Sequence, residues 1–276
     1  MTPTKTPFIA IVRAVMFFHL EVAGMPSNKD LLKTLLKGIE TGDPGAAAVV
    51  NEAKYIQHNP QTHEGSEGLA ELFKRLSKTN PRVNFVRVFE DGNFAFAHNE
   101  YDFSGLRVAF EVFRFEDGQA VEHWDNIQPM KGPNPSGRGM LDGTTEISDL
   151  AGTEINRGMA QRFAEQVLVD GKLDLLDTLV DENLVQHDPD LTDGVSSLRA
   201  ALEEVHDGAP KIRHDKVHRV LAEGNFALCM CEGRKADVHT SFYHLFRFQD
   251  GLIVEHWNTI EAIAPRSEWK NDNGKF

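Results

Sequence analysis

The chain has 276 residues, enough for two domains with separate cores. Its net charge of −13 argues against nucleic-acid and anionic-membrane partners, which need a basic surface. Apolar and charged fractions of 41% and 26% are those of an ordinary soluble globular protein.

Residues 1–26 read as a leader outside the domains. Phe8 to Phe18 is apolar except for Arg13, which spoils a secretory signal, and the run is too short to span a bilayer. Met25 offers an alternative start, and the expected compartment is the cytoplasm. Cys229 and Cys231 agree with that, reading as small buried thiols on one face of a strand in a reducing compartment.

Ser27-Asn28-Lys29-Asp30 has the spacing of a capping box. Leu31, Leu32, Leu35, Leu36 and Ile39 follow at helical spacing, and Gly42 stops the helix. Asp43-Pro44 starts a second helix, and residues 66–78 form a third, amphipathic one. His58 stands between them in a loop or short strand ended by Pro60. After Pro81 the period changes to two. Strands are expected at 83–89, 94–103, 107–115 and 120–127, with hairpin turns at Asp91-Gly92 and Asp117-Gly118. Helices before a meander indicate an α+β domain, here 27–129. Residues 130–150, rich in Pro and Gly, read as a linker. A second domain at 151–265 repeats the plan. Its helices are expected at 154–169, 173–180 and 195–205, and its strands at 211–222, 226–234, 238–248 and 252–260. Residues 266–276 read as a polar, partly mobile tail.

The repeat is visible in the residues. Phe113-Arg114-Phe115-Glu116-Asp117-Gly118 and Val121-Glu122-His123-Trp124-Asp125 return as Phe246-Arg247-Phe248-Gln249-Asp250-Gly251 and Val254-Glu255-His256-Trp257-Asn258, offset 256 − 123 = 133. Tyr55-Ile56-Gln57-His58-Asn59-Pro60 is echoed by Leu184-Val185-Gln186-His187-Asp188-Pro189. A period this long is a whole small domain. Within the Val-Glu-His-Trp motif the copies differ at one position, where Asp125 is replaced by Asn258.

That contrast makes Asp125 the leading candidate for chemistry. On a strand it shares a face with His123, while Glu122, Trp124 and Asn126 point the other way. Burial beside an imidazole would raise its pKa toward neutrality, which suits a general base. Asn258 keeps the shape and deletes the base. His58, in a loop closed by Pro, could polarise a carbonyl oxygen or merely brace the loop. His58, His63, His98 and His123 show no metal-binding spacing, so no metal site is expected. Arg114 and Arg247 read as structural, pairing with a carboxylate across the sheet.

The His-Asn-Pro loop, the helix after it and Phe-Arg-Phe-x-Asp-Gly-x-x-Val-Glu-His-Trp-Asp together resemble the SnoaL-like group of the nuclear transport factor two-like superfamily. The resemblance implies two tandem cones, each of three helices on a curved antiparallel sheet of about four strands around a pocket. It implies an Asp acting as acid and base in cofactor-free aldol-type closure or isomerisation, a role that falls on Asp125, with His58 and His123 as partners. Asn59, His98 and Trp124 are the expected substrate contacts in the first cone. His187, Asp188, His256 and Asn258 are those in the second, whose catalysis Asn258 puts in doubt. The implied ligand is a small hydrophobic carbonyl compound. The alternative is a non-catalytic binding module, its two cones packed sheet to sheet as an internal pseudo-dimer, with room for further homodimerisation.

Overall fold

A computed structural model describes residues 26–276. The expected leader lies outside the described residues, apart from its last position. Helix α1 (Asn28–Thr41) starts at Ser27, whose side chain accepts the Asp30 N–H at 3.2 Å, and ends at Gly42 in the left-handed region, φ 68°. It buries Leu32, Leu35, Leu36 and Ile39. Helix α2 (Pro44–Ala47) is capped by Asp43, and α3 (Gly65–Leu76) completes the first helical layer.

Five strands follow one plan in each half. In the first they are β1 (Ile56–Gln57), β2 (Arg82–Asp91), β3 (Phe94–Asp102), β4 (Leu106–Glu116) and β5 (Gln119–Pro129), in spatial order β1-β5-β4-β3-β2. The second half has α4 (Thr153–Arg162), which runs into a π-helical segment at Phe163–Val169, then α5 (Leu176–Leu179), β6 (Val180–Gln186) and α6 (Val195–Glu203). After a small hairpin, β7 (Val205–His206) and β8 (Ala209–Pro210), come β9 (Ile212–Glu223), β10 (Phe226–Lys235), β11 (Val238–Gln249) and β12 (Leu252–Ala262). The sheet order is β6-β12-β11-β10-β9. The expected four strands are therefore five: the segment before each loop histidine adds a parallel strand beside β5 or β12. The Asp117-Gly118 and Asp250-Gly251 turns hold positive φ at both residues, as two-residue hairpins of this twist require.

Each half is an α+β cone with its own apolar core, and the two cones are tandem copies. Cys229 and Cys231 are free and buried in the second core. A third cluster lies between the sheets, with Phe96, Phe110 and Trp124 meeting Leu228, Tyr243 and Trp257. Contacts across it are reciprocal. Arg219 lies 4.5 Å from the Trp124 ring and Arg87 4.1 Å from the Trp257 ring, with 219 − 87 = 132. The Ile127 N–H donates to Glu261 at 3.1 Å and the Ile260 N–H to Gln128 at 3.1 Å, again one repeat apart.

The segments after each sheet cross to the other cone. Asn134 in the linker donates to the Gln186 carbonyl at 2.7 Å, and Asn271 in the tail donates to the Asn59 carbonyl at 2.7 Å. The tail is therefore not a loose end. Asn271 and Lys275 are buried against the first cone. No helix among the described residues is long and apolar enough to cross a membrane.

Candidate active site

The first cone holds a half-open pocket of about 340 Å³. Leu35, Leu36, Leu69 and Phe73 from α1 and α3 form its apolar wall; Tyr101, Glu111, His123 and Asp125 from β3, β4 and β5 form its polar floor. Strand alternation puts His123 and Asp125 in the cavity and sends Trp124 into the cluster between the sheets.

The floor is one hydrogen-bonded chain. Asn99 Nδ2 donates to the Tyr101 hydroxyl at 3.3 Å, and Tyr101 donates to Glu111 Oε1 at 2.8 Å. Glu111 Oε2 lies 2.6 Å from His123 Nε2, and His123 Nδ1 lies 2.8 Å from Gln57 Oε1. Gln57 Oε1 also accepts the Asn59 backbone N–H at 2.9 Å, which fixes the amide orientation, since that N–H can only donate. His123 must then carry its proton on Nδ1. His123 Nε2 then faces Glu111 Oε2 at 2.6 Å, which makes the two side chains one hydrogen-bonded pair.

Asp125 is 3% exposed. Asn59 Nδ2 donates to its Oδ2 at 2.5 Å and Lys275 Nζ to its Oδ1 at 3.1 Å. Lys275 also reaches Glu261 Oε2 at 2.8 Å. Burial pushes the Asp125 carboxyl up, but Lys275, His123 and the Asn59 hydrogen bond outweigh it, and the net shift is downward. This corrects the expectation of a pKa raised toward neutrality; Asp125 is held as a carboxylate. Burial lowers the Lys275 pKa, yet the two carboxylates prevail and carry it up to about 12. Burial and the nearby Asp125 raise Glu261.

Glu111, His123 and Asp125 offer ligand atoms within 4.8 Å of one another, the one such trio among the described residues. A cation there would share Asp125 with the Lys275 ammonium, which already supplies positive charge. Glu111, Tyr101, Lys275 and Glu261 were not singled out from sequence.

Three expected contacts of the first cone lie elsewhere. His58 stacks on Trp124 at 4.8 Å, with Nε2 2.9 Å from Glu122 and Nδ1 3.1 Å from the Gly274 carbonyl; it braces the tail outside the cavity. His98 is fully buried beside Arg87 at 3.1 Å, and Trp124 packs between the sheets. His187 repeats the His58 brace on Trp257, Glu255 and the Gly139 carbonyl. Arg114 and Arg247 bond Glu122 and Glu255 across the sheet, each at 2.7 Å.

His256, Asp188 and Asn258 border a small chamber of about 40 Å³ in the second cone. His256 Nδ1 bonds Gln186 Oε1 at 2.8 Å, as His123 bonds Gln57. Position 111 becomes His244, whose Nδ1 lies 3.0 Å from His256 Nε2. Tyr101 becomes Gly233, and His214 on the neighbouring strand approaches His244 Nε2 at 3.0 Å instead. A β-carbon on Gly233 would fall 2.0 Å from the Arg213 carbonyl oxygen, so a side chain there would force the strands apart. Burial lowers all three imidazoles, His214 to about 4 and His256 to about 3, and His244 also well down. Asn258 has not left the second cone without a carboxylate: its Nδ2 donates to Asp188 Oδ2 at 2.6 Å.

Residues 160–256 match the family model described as the SnoaL-like domain. No curated protein matches the chain. Among solved structures it is similar to TsrD from Streptomyces laurentii, at 22% identity and TM-score 0.32 over 36% of this chain and 85% of that one. It is also similar to an NTF2-like protein of unknown function from Cytophaga hutchinsonii, at 19% identity and TM-score 0.34 over 39% and 95%. A third is an LEH-like epoxide hydrolase from M. tuberculosis, at 17% identity and TM-score 0.32 over 40% and 84%.

Proposed function

We propose, from the match of residues 160–256 to the SnoaL-like domain model and the repeat of the same fold in the first half, that the first cone is an enzyme site for proton transfer on a small, largely apolar carbonyl compound. Asp125 takes the proton α to the carbonyl, and the electron pair moves onto the carbonyl oxygen. The His123–Glu111 pair beside Asp125 turns a proton from its mutual contact to the enolate oxygen and stabilises it by hydrogen bonding. Asp125 then either returns its proton to another carbon of an extended enolate, or gives it to the alkoxide formed when the α-carbon closes onto a second carbonyl of the same molecule; in both cases the oxygen's electron pair re-forms the first carbonyl. The two cones act as an internal pseudo-dimer that supplies Lys275 and Glu261 to the site.

The observation that carries this reading is the placing of a carboxylate and a hydrogen-bonded Glu–His pair in one pocket with an apolar wall. A substrate filling this pocket would displace water from the carbanion and strengthen each hydrogen bond to it. The rival reading, a binding module, is favoured by the Lys275 contact, which already holds Asp125.

Deuterium exchange at the α-carbon of cyclic ketones in heavy water, followed by NMR, separates the two. Catalysed exchange that Asp125→Asn abolishes supports the enzyme. Ketones that occupy the cavity without catalysed exchange support the binder.

A further inference from the structure

The second cone repeats the polar cluster of the first with its donors and acceptors rearranged. In the first cone the strand atom Asp125 Oδ1 receives the Lys275 ammonium. Glu261 Oε2 receives the same ammonium while accepting the Ile127 N–H. One repeat later, 125 + 133 = 258, the corresponding strand atom is Asn258 Oδ1. Asn258 is 6% exposed, and this oxygen is buried without a hydrogen-bond partner. In place of Glu261 stands Gln128, whose Oε1 accepts the Ile260 N–H at 3.1 Å. The carboxylate sits one step away on the loop: Asp188 accepts from Asn258 Nδ2 at 2.6 Å and from the Asp190 N–H at 2.8 Å.

Gln128, Asp188 and Asn258 all border one cleft of about 380 Å³, and Asp188 and Asn258 also border the small inner chamber. Pro129, Pro189 and Ile260 add apolar surface. Two cations reach the cleft. Lys131 is paired with Asp190 at 3.0 Å, and Lys235 stands beside Val238 where β10 meets β11. Beyond Asp188 the inner chamber adds no charge, because burial lowers the pKa of its three imidazoles.

We propose that the second cone binds a small primary amine as its ammonium ion, seated between Asn258 Oδ1 and Gln128 Oε1 beside the Asp188 carboxylate. An ammonium group brings three donors and no acceptor, matching a site made of acceptors. It also balances the Asp188 charge, as Lys275 balances Asp125. A hydroxyl would satisfy Asn258 but leave that charge uncompensated. The apolar walls take an alkyl tail. Lys235 disfavours a second cation, so a monoamine fits better than a diamine. The first cone shows the binding mode in miniature, because Lys275 is itself a primary ammonium on a short alkyl chain.

The test is an NMR titration of the whole protein with n-butylammonium, and with n-butanol as the uncharged control. Butylammonium is expected to shift the Asp188, Asp190 and Ile260 amide signals saturably, and butanol to bind about tenfold more weakly or worse. Asp188→Asn should weaken butylammonium by a similar factor. The double variant Asp188→Asn, Asn258→Asp rebuilds the arrangement of the first cone and should restore binding, which keeps the test valid if the single variant folds poorly. Equal binding of butanol overturns the proposal. So do shifts confined to the Gln57–Gln61 amides, which mean displacement of Lys275. An absence of shifts overturns it too, and leaves Asn258 to water.

Discussion

Asn258 donates to Asp188 at 2.6 Å across the same gap that Asn59 spans to reach Asp125 at 2.5 Å, with amide and carboxylate exchanged between strand and loop. Both cones keep one carboxylate and one amide at this point, so the hydrogen bond and the loop it fixes survive. What differs is where the charge sits. In the first cone it lies on the strand, beside the Glu111–His123 pair; in the second it lies on the loop, beside Pro189. The copies therefore separate the structural work of the pair from the placing of a base.

Exchanging the first pair, Asn59→Asp with Asp125→Asn, should turn the first cone into the arrangement of the second. The fold should hold, because the pair keeps its bond and its total charge. Turnover of any α-exchanging ketone should fall by about 10²–10⁴, the usual contribution of a positioned base. Thermal unfolding and kcat/KM measured on the same sample decide it. A swapped variant with wild-type turnover removes Asp125 from the mechanism.

Lys275→Met should make Asp125 a stronger base. The ammonium is the largest influence pulling that carboxyl down, so its removal leaves burial dominant and the pKa rises. The acidic limb of the pH–rate profile, where the base must be ionised, should then move to higher pH. In the wild type the Lys275 contact contributes fully below the free-lysine value of 10.5 and is lost as pH rises through about 12. Alkaline unfolding should therefore lose a step over that range in Lys275→Met. An unmoved acidic limb would show that Lys275 does not control Asp125.

The repeat and the strand periods were legible because hydrophobic alternation and Asp-Gly turns are local signals. Trp124 was expected to touch substrate, but strand alternation puts it on the face opposite Asp125, and it packs between the sheets. Glu111 was not legible, and the reason is one residue. Strand β5 carries a bulge opposite Arg114 and Phe115, so Glu111 pairs with Asp125 rather than with Trp124. A register slip of one flips every side chain to the other face, and nothing in the sequence marks this bulge. His58 misled because loop histidines serve as braces and as catalysts alike; its stacking on Trp124 and its bond to Gly274 depend on segments far away in the chain. Lys275 gave no signal at all. A lysine in a polar tail reads as solvated until the fold brings two carboxylates to it.

The three imidazoles of the second cone should make it acid-sensitive. A histidine whose folded pKa lies below its unfolded value of about 6.5 binds fewer protons when folded, so stability is full above that value and falls as pH drops toward the folded pKa. His214, lowered by burial to about 4, should alone remove about 2 kcal/mol between pH ~7 and pH ~5. Asp215 opposes that shift only in part. In the first cone Val83 occupies the strand position of His214, each pairing with the residue at the Tyr101–Gly233 site. His214→Val should therefore lose less stability over the same interval, even though the cavity it leaves makes it less stable at neutral pH. Urea unfolding of both proteins at the two pH values measures the difference, and an equal loss in the two would mean that His214 titrates alike in the folded and unfolded states.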